Sequence, residues 1–170
     1  MRNEKSLTQY QYFLAPGYIY LARSPTIIST VLGSGVSVCV YDKKKMIGAM
    51  NCFLYPEIRE KGKTTALYGN VATIALIRLM LQEGSKPKHL VAQILGGAYN
   101  QEVSKMRDVG SENVRVARKV LSRSGIKIIS EDVGGTLGRK VVYDSYTNEV
   151  AVLKVERLRQ SDWYPYEGSR

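Results

Sequence analysis

One histidine and two cysteines are all the soft metal ligands this chain contains. His89, Cys39 and Cys52 together fall short of the four ligands of a structural zinc site, and two cysteines make no disulfide framework. No metal and no cofactor are therefore expected. Long apolar runs are missing as well. The longest, Val71 to Leu81, is interrupted by Thr73 and Arg78 and stops well short of the roughly 20 residues that a membrane-spanning helix needs. The first residues, Met1-Arg-Asn-Glu-Lys5, lead into Gln, Tyr and Pro rather than an apolar signal core, so a cytoplasmic protein without membrane insertion is expected. Acidic residues are in short supply: 15 Asp and Glu against 25 Lys and Arg leave a net charge of +10. That excess draws the chain to an acidic partner, and charge alone does not choose among nucleic acid, an anionic membrane face and an acidic protein surface.

What is present reads as one globular domain. Of the 170 residues, 44% are apolar and 24% charged, enough for a single core and too apolar for disorder. Residues 1–155 form the expected domain, and residues 156–170, with Trp163, Tyr164 and Tyr166 among polar neighbours, form a tail that either packs on the body or meets a partner. Neither repeats nor low-complexity segments occur.

Pro16-Gly17 marks a turn before a short strand, Tyr18 to Leu21. From Val36 onward Val36, Val38 and Val40 share one face of a strand, with Ser37, Cys39 and Tyr41 on the other, and Met46 to Phe53 returns as its hairpin partner. Val71, Ile74, Ala75, Leu76, Leu79 and Met80 cover most of a helix's circumference, so that helix is expected to be heavily buried, ended by Gly84. Leu90 to Leu95 is a strand stopping at Gly96-Gly97. Ser111 is the expected cap of a second helix, with Val114, Ala117 and Leu121 inward, Arg115, Arg118, Lys119 and Arg123 outward, and Gly125 at its end. Ile126 to Ile129 is a strand, and Val141 to Tyr143 pairs with Val150 to Val155. The predicted class is α+β, a mostly antiparallel, sandwich-like arrangement with helices covering one sheet face.

Several stretches together resemble the CheD chemoreceptor glutamine deamidases of bacterial chemotaxis. They are Leu14-Ala-Pro-Gly17, Ile28-Ser-Thr-Val-Leu-Gly-Ser34 with Val36 to Asp42, Ile47-Gly48, Met50-Asn51, Leu95-Gly-Gly-Ala98, Gly110 and Asn113, and Asp132-Val-Gly-Gly135 with Gly138-Arg139. They follow in family order from about residue 13 to residue 155. The resemblance implies a cysteine hydrolase-like fold and conversion of receptor glutamines to glutamates. A thiolate attacks the side-chain amide, a histidine activates it and hands a proton to the departing ammonia, and a Thr or Ser orients the imidazole.

The family places its cysteine directly after Leu-Gly-Ser and its histidine directly after Met-Asn, where this chain holds Gly35 and Cys52. Of the three catalytic positions only Thr30 keeps its residue type. Loss of nucleophile and base together reads as divergence after activity was given up. The expected role is binding, either of chemoreceptor cytoplasmic helices held in an old substrate groove around Ser34, Thr30, Asn51 and Phe53, or of a chemotaxis phosphatase. Two alternatives stand beside it. One is an amidohydrolase that uses Cys52, which has no histidine nearby in sequence to activate it. The other is a basic nucleic-acid binder, not expected because the chain carries no reading helix, zinc finger or aromatic-basic ribonucleoprotein motif. Gly96-Gly97 and Gly134-Gly135 lack the P-loop pattern. Cys39 reads as core and His89 as a surface residue.

Overall fold

β4 (Val36–Asp42) is buried at every position, because its two faces meet two different cores. Val36, Val38 and Val40 point into one core, and Cys39 points into the other, as period-two alternation requires. In this computed structural model, which describes residues 8–63, 65–100, 102 and 107–163, the strand lies at the centre of the middle layer of three. β2 (Ile19–Leu21), β5 (Ile47–Asn51), β4, β6 (Leu90–Gly96) and β7 (Lys127–Val133) form the middle sheet in that order. β1 (Tyr10–Phe13), β3 (Thr26–Leu32), β8 (Gly138–Asp144) and β9 (Val150–Val155) form the outer sheet. Ile28, Leu32, Val141 and Tyr143 from the outer sheet meet Cys39, Met50 and Leu95 from the middle one. On the opposite side of the middle sheet, α1 (Gly69–Gln82) and α2 (Val109–Arg123) supply Ala72, Leu76, Met80, Val116, Ala117 and Leu121 to the larger core.

The sandwich with helices on one face is the expected class, and most strand pairs are antiparallel. Two are not: β1 runs parallel to β3, and β6 parallel to β7. β1 itself was not expected from the sequence, where Tyr10 to Phe13 shows no clean alternation. α2 begins two residues before its expected cap, and the cap is Asp108, whose carboxylate accepts a hydrogen bond from the Ser111 N–H at 3.0 Å. Both main helices close as anticipated on left-handed glycines. Gly84 (φ +87°) follows α1 with Ser85 N–H donating to the Met80 carbonyl, and Gly125 (φ +67°) follows α2 with Ile126 N–H donating to that of Leu121.

A second expectation fails besides the α2 cap. α1 is buried only along Gly69, Ala72, Thr73, Leu76, Ile77 and Met80, whereas Ile74 is 40% exposed and Leu81 39%. The middle sheet and α2 cover one side of the helix; on the other, Asn70 near its start is held by the Ile58 backbone, and Ile74, Arg78 and Leu81 stand exposed.

Beyond β9, Leu158 lies where a side chain on Gly138 would stand, and Asp162 of α3 (Gln160–Trp163) pairs with Lys140 at 2.7 Å. This part of the tail packs on the outer sheet; Tyr164 and Tyr166 lie outside the described residues. None of the helices described is long and apolar enough to cross a membrane.

Candidate functional site

Residues 33–35 carry the chain from the outer sheet to the middle one, and the backbone of this crossing is held at every step. Gly33 and Gly35 carbonyls accept from Ala98 and Gly97 N–H at 3.0 and 2.8 Å, and the Ser34 carbonyl accepts from Asn113 Nδ2 at 2.9 Å. Asn113 donates equally to the Leu54 carbonyl, so one buried amide on α2 ties the crossing to the segment after β5. The two double-glycine turns support it from behind: Gly134 N–H donates to Gly96, and Tyr99 N–H to Gly135.

The β4–β5 pairing continues past the end of β5. Val36 and Phe53 exchange both backbone hydrogen bonds at 3.0 Å, and with Cys39 opposite Met50 the same register sets Ser37 opposite Cys52. The Cys52 thiol is fully buried in the core between the sheets, beside the hydroxyls of Thr30 and Ser37. Thr30 Oγ1 donates to the Leu14 carbonyl at 2.8 Å, while Ser37 Oγ lies near the thiol without a directed hydrogen bond of its own. Burial pushes the Cys52 thiol up to about 11, and contacts with the Thr30 and Ser37 hydroxyls offset only part of that rise. The thiol is protonated near neutrality, and a protonated thiol is a poor nucleophile. Cys39, wholly buried, is pushed up further by desolvation.

Gly35 precedes Val36 at the end of the crossing and packs on the segment that follows Cys52. A Cβ placed on it would lie 2.9 Å from the Phe53 carbonyl oxygen and 3.2 Å from Leu54 Cδ2. The Phe53 carbonyl stands at a distance that real Cβ atoms essentially never show, and Leu54 stands beside the position a nucleophile's side chain would leave from. The structure thus brings Thr30 and Cys52 together, adds Ser37, and sets Gly35 against Phe53 and Leu54.

The remaining sequence-nominated residues divide by exposure. Asn51 is wholly buried, its Oδ1 accepting from the Val38 N–H at 2.8 Å, and Phe53 is wholly buried with its ring against Gly69 of α1. Neither offers side-chain surface to a docking partner; Ser34 is half-buried. The surface near these elements is aromatic instead: Tyr18, whose carbonyl accepts from Cys52 N–H, is 61% exposed, and Tyr55, stacked at a tilt on Tyr68, is 47% exposed.

Sequence reasoning missed Ser37, Asn113 and Leu54 as site residues. The first two had a signal: Ser37 is a polar residue on a strand face otherwise bound for the core, and Asn113 lies on the α2 face that carries Ala117, Val120 and Leu121. Of the six buried side-chain polar atoms left without a partner among the described residues, three belong to this region, Ser37 Oγ, Asn51 Nδ2 and Asn113 Oδ1. A buried polar atom that finds no partner costs about 1–3 kcal/mol. No group of three His, Cys, Asp or Glu among the described residues is placed to hold a metal.

Comparison with known proteins agrees on one family. The sequence profile of the family described as CheD chemotactic sensory transduction matches residues 55–154. A probable chemoreceptor glutamine deamidase CheD of Sulfurimonas denitrificans is 35% identical over 147 residues, covering 85% of this chain and 94% of the relative. One of the same description from Trichlorobacter lovleyi is 35% identical over 151 residues, covering 88% and 94%. Another, from Anaeromyxobacter dehalogenans, is 37% identical over 134 residues, covering 78% of each chain.

Proposed function

The chain belongs to the CheD family, and we propose that it serves chemotactic signalling by binding rather than by deamidating glutamine. The observation that carries this reading is the packing at Gly35: no side chain stands at the nucleophile's position, and the Phe53 carbonyl oxygen and Leu54 Cδ2 crowd the place where one would begin. The other candidate nucleophile, Cys52, supports it too. Its thiol is fully buried, has hydroxyl neighbours rather than a base, and holds its proton until about pH 11. The partner is a chemoreceptor cytoplasmic helix, met at the rim formed by Ser34, Leu54, Tyr18 and Tyr55, with a chemotaxis phosphatase as the second partner that the family suggests.

The test is the one-dalton mass gain, with ammonia release, of a receptor cytoplasmic fragment. The wild type should give none. Gly35→Cys with Cys52→His restores nucleophile and base on paper. The 2.9 Å contact with the Phe53 carbonyl cannot be relieved by a side-chain rotation, so that pair should recover little. Adding Leu54→Ala should help more than either single substitution, because residues that act as one unit are not additive. Turnover by the wild type that Cys52→Ala abolishes would establish an active amidohydrolase with a relocated thiol and sink the proposal.

A further inference from the structure

α1 has the sequence of a helix covered on all sides and the setting of a helix covered on one. Its fourteen residues, GNVATIALIRLMLQ, contain no acid and a single charge, Arg78. At about 100° per residue, Gly69, Ala72, Thr73, Leu76, Ile77 and Met80 occupy less than half of its circumference, and they are the buried face. The other half carries Val71, Ile74, Ala75, Leu79 and Leu81, each half-buried or exposed. A shallow groove runs along it, lined by Asn70, Val71, Ile74, Arg78, Leu79 and Gln82. α2 shows what a solvated face looks like in the same protein, with Arg115, Arg118 and Arg123 standing clear of its buried side. A helix apolar all round ordinarily has neighbours all round, and a contiguous apolar stripe with a polar rim marks a contact surface.

We propose that this outer face of α1 seats an acidic amphipathic helix of a partner protein, laid along the groove with a carboxylate meeting Arg78. Charge selects the occupant. Among the described residues Arg78 is the only charged one lining the groove, and it enters no salt bridge with them, whereas Arg23, Arg107, Arg118 and Arg139 are each paired. A second copy of this chain fits poorly, since α1 has no acid to offer and Glu83, just past its end, is held by Arg23 at 2.5 Å. The net charge of +10 likewise opposes self-association and favours an acidic partner. The inference stands whether or not the chain retains deamidase activity.

Two helical peptides of about 18 residues, with Leu and Ile at i, i+3, i+4 and i+7 and either Glu or Lys on the polar face, test it. Their binding to the full chain is measured by amide chemical shift changes and fluorescence anisotropy. The Glu peptide should bind better, with the shift changes along α1. Val71→Ser with Ile74→Ser should weaken it about tenfold or more. Arg78→Glu should erode the preference for Glu over Lys by a similar factor. All three substitutions are at positions with solvent exposure, so melting temperatures should barely move, and the Arg78 variant stands even if the double serine variant proves unstable. Shift changes scattered over other faces, or binding indifferent to both variants, would overturn the proposal. So would concentration-dependent dimerisation of the chain alone that Ile74→Ser abolishes, which would make the face a contact between copies.

Discussion

Cys52 carries a titration that can be measured without any substrate. Its thiol leaves water for a core lined by Thr30 and Ser37, and its ionisation moves from an ordinary value near 9 to about 11. The folded state therefore holds the proton over a range in which the unfolded chain has released it. Below about pH 9 both states are protonated and the full stability is present; between about pH 9 and 11 the unfolded chain binds fewer protons, so stability falls as pH rises. This one group should contribute a loss of about 2 kcal/mol by pH 10.5. Cys39 and Tyr143, both raised mainly by burial, act in the same direction. Denaturant melts of wild type and Cys52→Ala across this range separate the contributions: the variant should lose stability less steeply. Parallel curves would mean that the thiol is far less desolvated than its surroundings imply. A disulfide reagent should likewise label neither cysteine of the native chain at neutral pH, since both are fully buried.

Glycines decide how closely the elements approach, and their roles separate by what a methyl group would meet. A Cβ on Gly110, in the first turn of α2, would collide with the carbonyl oxygens of Gly97 and Ala98, backbone that cannot swing aside. Gly33, one residue before Ser34, has open space and an ordinary φ. Gly110→Ala should cost about 3 kcal/mol and Gly33→Ala less than about 0.5 kcal/mol in urea melts, although helix propensity alone would rank alanine above glycine on α2. Equal effects would show that α2 rides on the β6 loop with more slack than its contacts indicate. The same distinction sets what the sequence discloses about the fold. Gly84 and Gly125 announce the helix ends because a left-handed cap is a local event, and Val36 to Asp42 announces its faces because alternation is local. The parallel pairing of Tyr10–Phe13 with Thr26–Ser29 is not local, and four residues without alternation give no sign of it. Asp108 was hidden behind Ser111, an equally good cap residue three positions on, and only the carboxylate contact with the Ser111 N–H decides between them. Cys52, Thr30 and Gly35 could be nominated from resemblance, but the closure of Phe53 and Leu54 over Gly35 is a contact between residues eighteen or more positions apart, and motif spacing carries no distances.

At the scale of the whole molecule, charge and apolar surface are separated. α2 carries Arg115, Arg118, Lys119 and Arg123 against a single acid, Glu112, while α1 keeps an almost uncharged outer face, so any partner meets two kinds of surface. Several basic residues are already neutralised at home: Arg118 binds Glu131 at 2.8 Å, Arg139 is buried against Asp132 at 3.1 Å, and Lys119 lies 3.8 Å from Glu57. Arg115 and Arg123, both exposed and outside any described salt bridge, remain to attract an acidic surface. If receptor helices are bound through this field, retention of a receptor cytoplasmic fragment should be strong at about 50 mM salt and fall severalfold at about 500 mM, where the screening length drops to a few ångströms. Arg115→Glu with Arg123→Glu should reproduce most of that fall at low salt. Ile74→Ser, which leaves the charge untouched, should not, because its contribution lies in apolar contact that salt does not screen. No enrichment of the fragment over an acidic control protein at low salt would remove receptor docking. A fall caused by Ile74→Ser and not by the arginine pair would instead assign the receptor to the α1 face. The two surfaces are thus distinguished by their variants: the arginine pair on α2 reports a field that fades with ionic strength, whereas Ile74→Ser on α1 reports an apolar contact that salt does not screen.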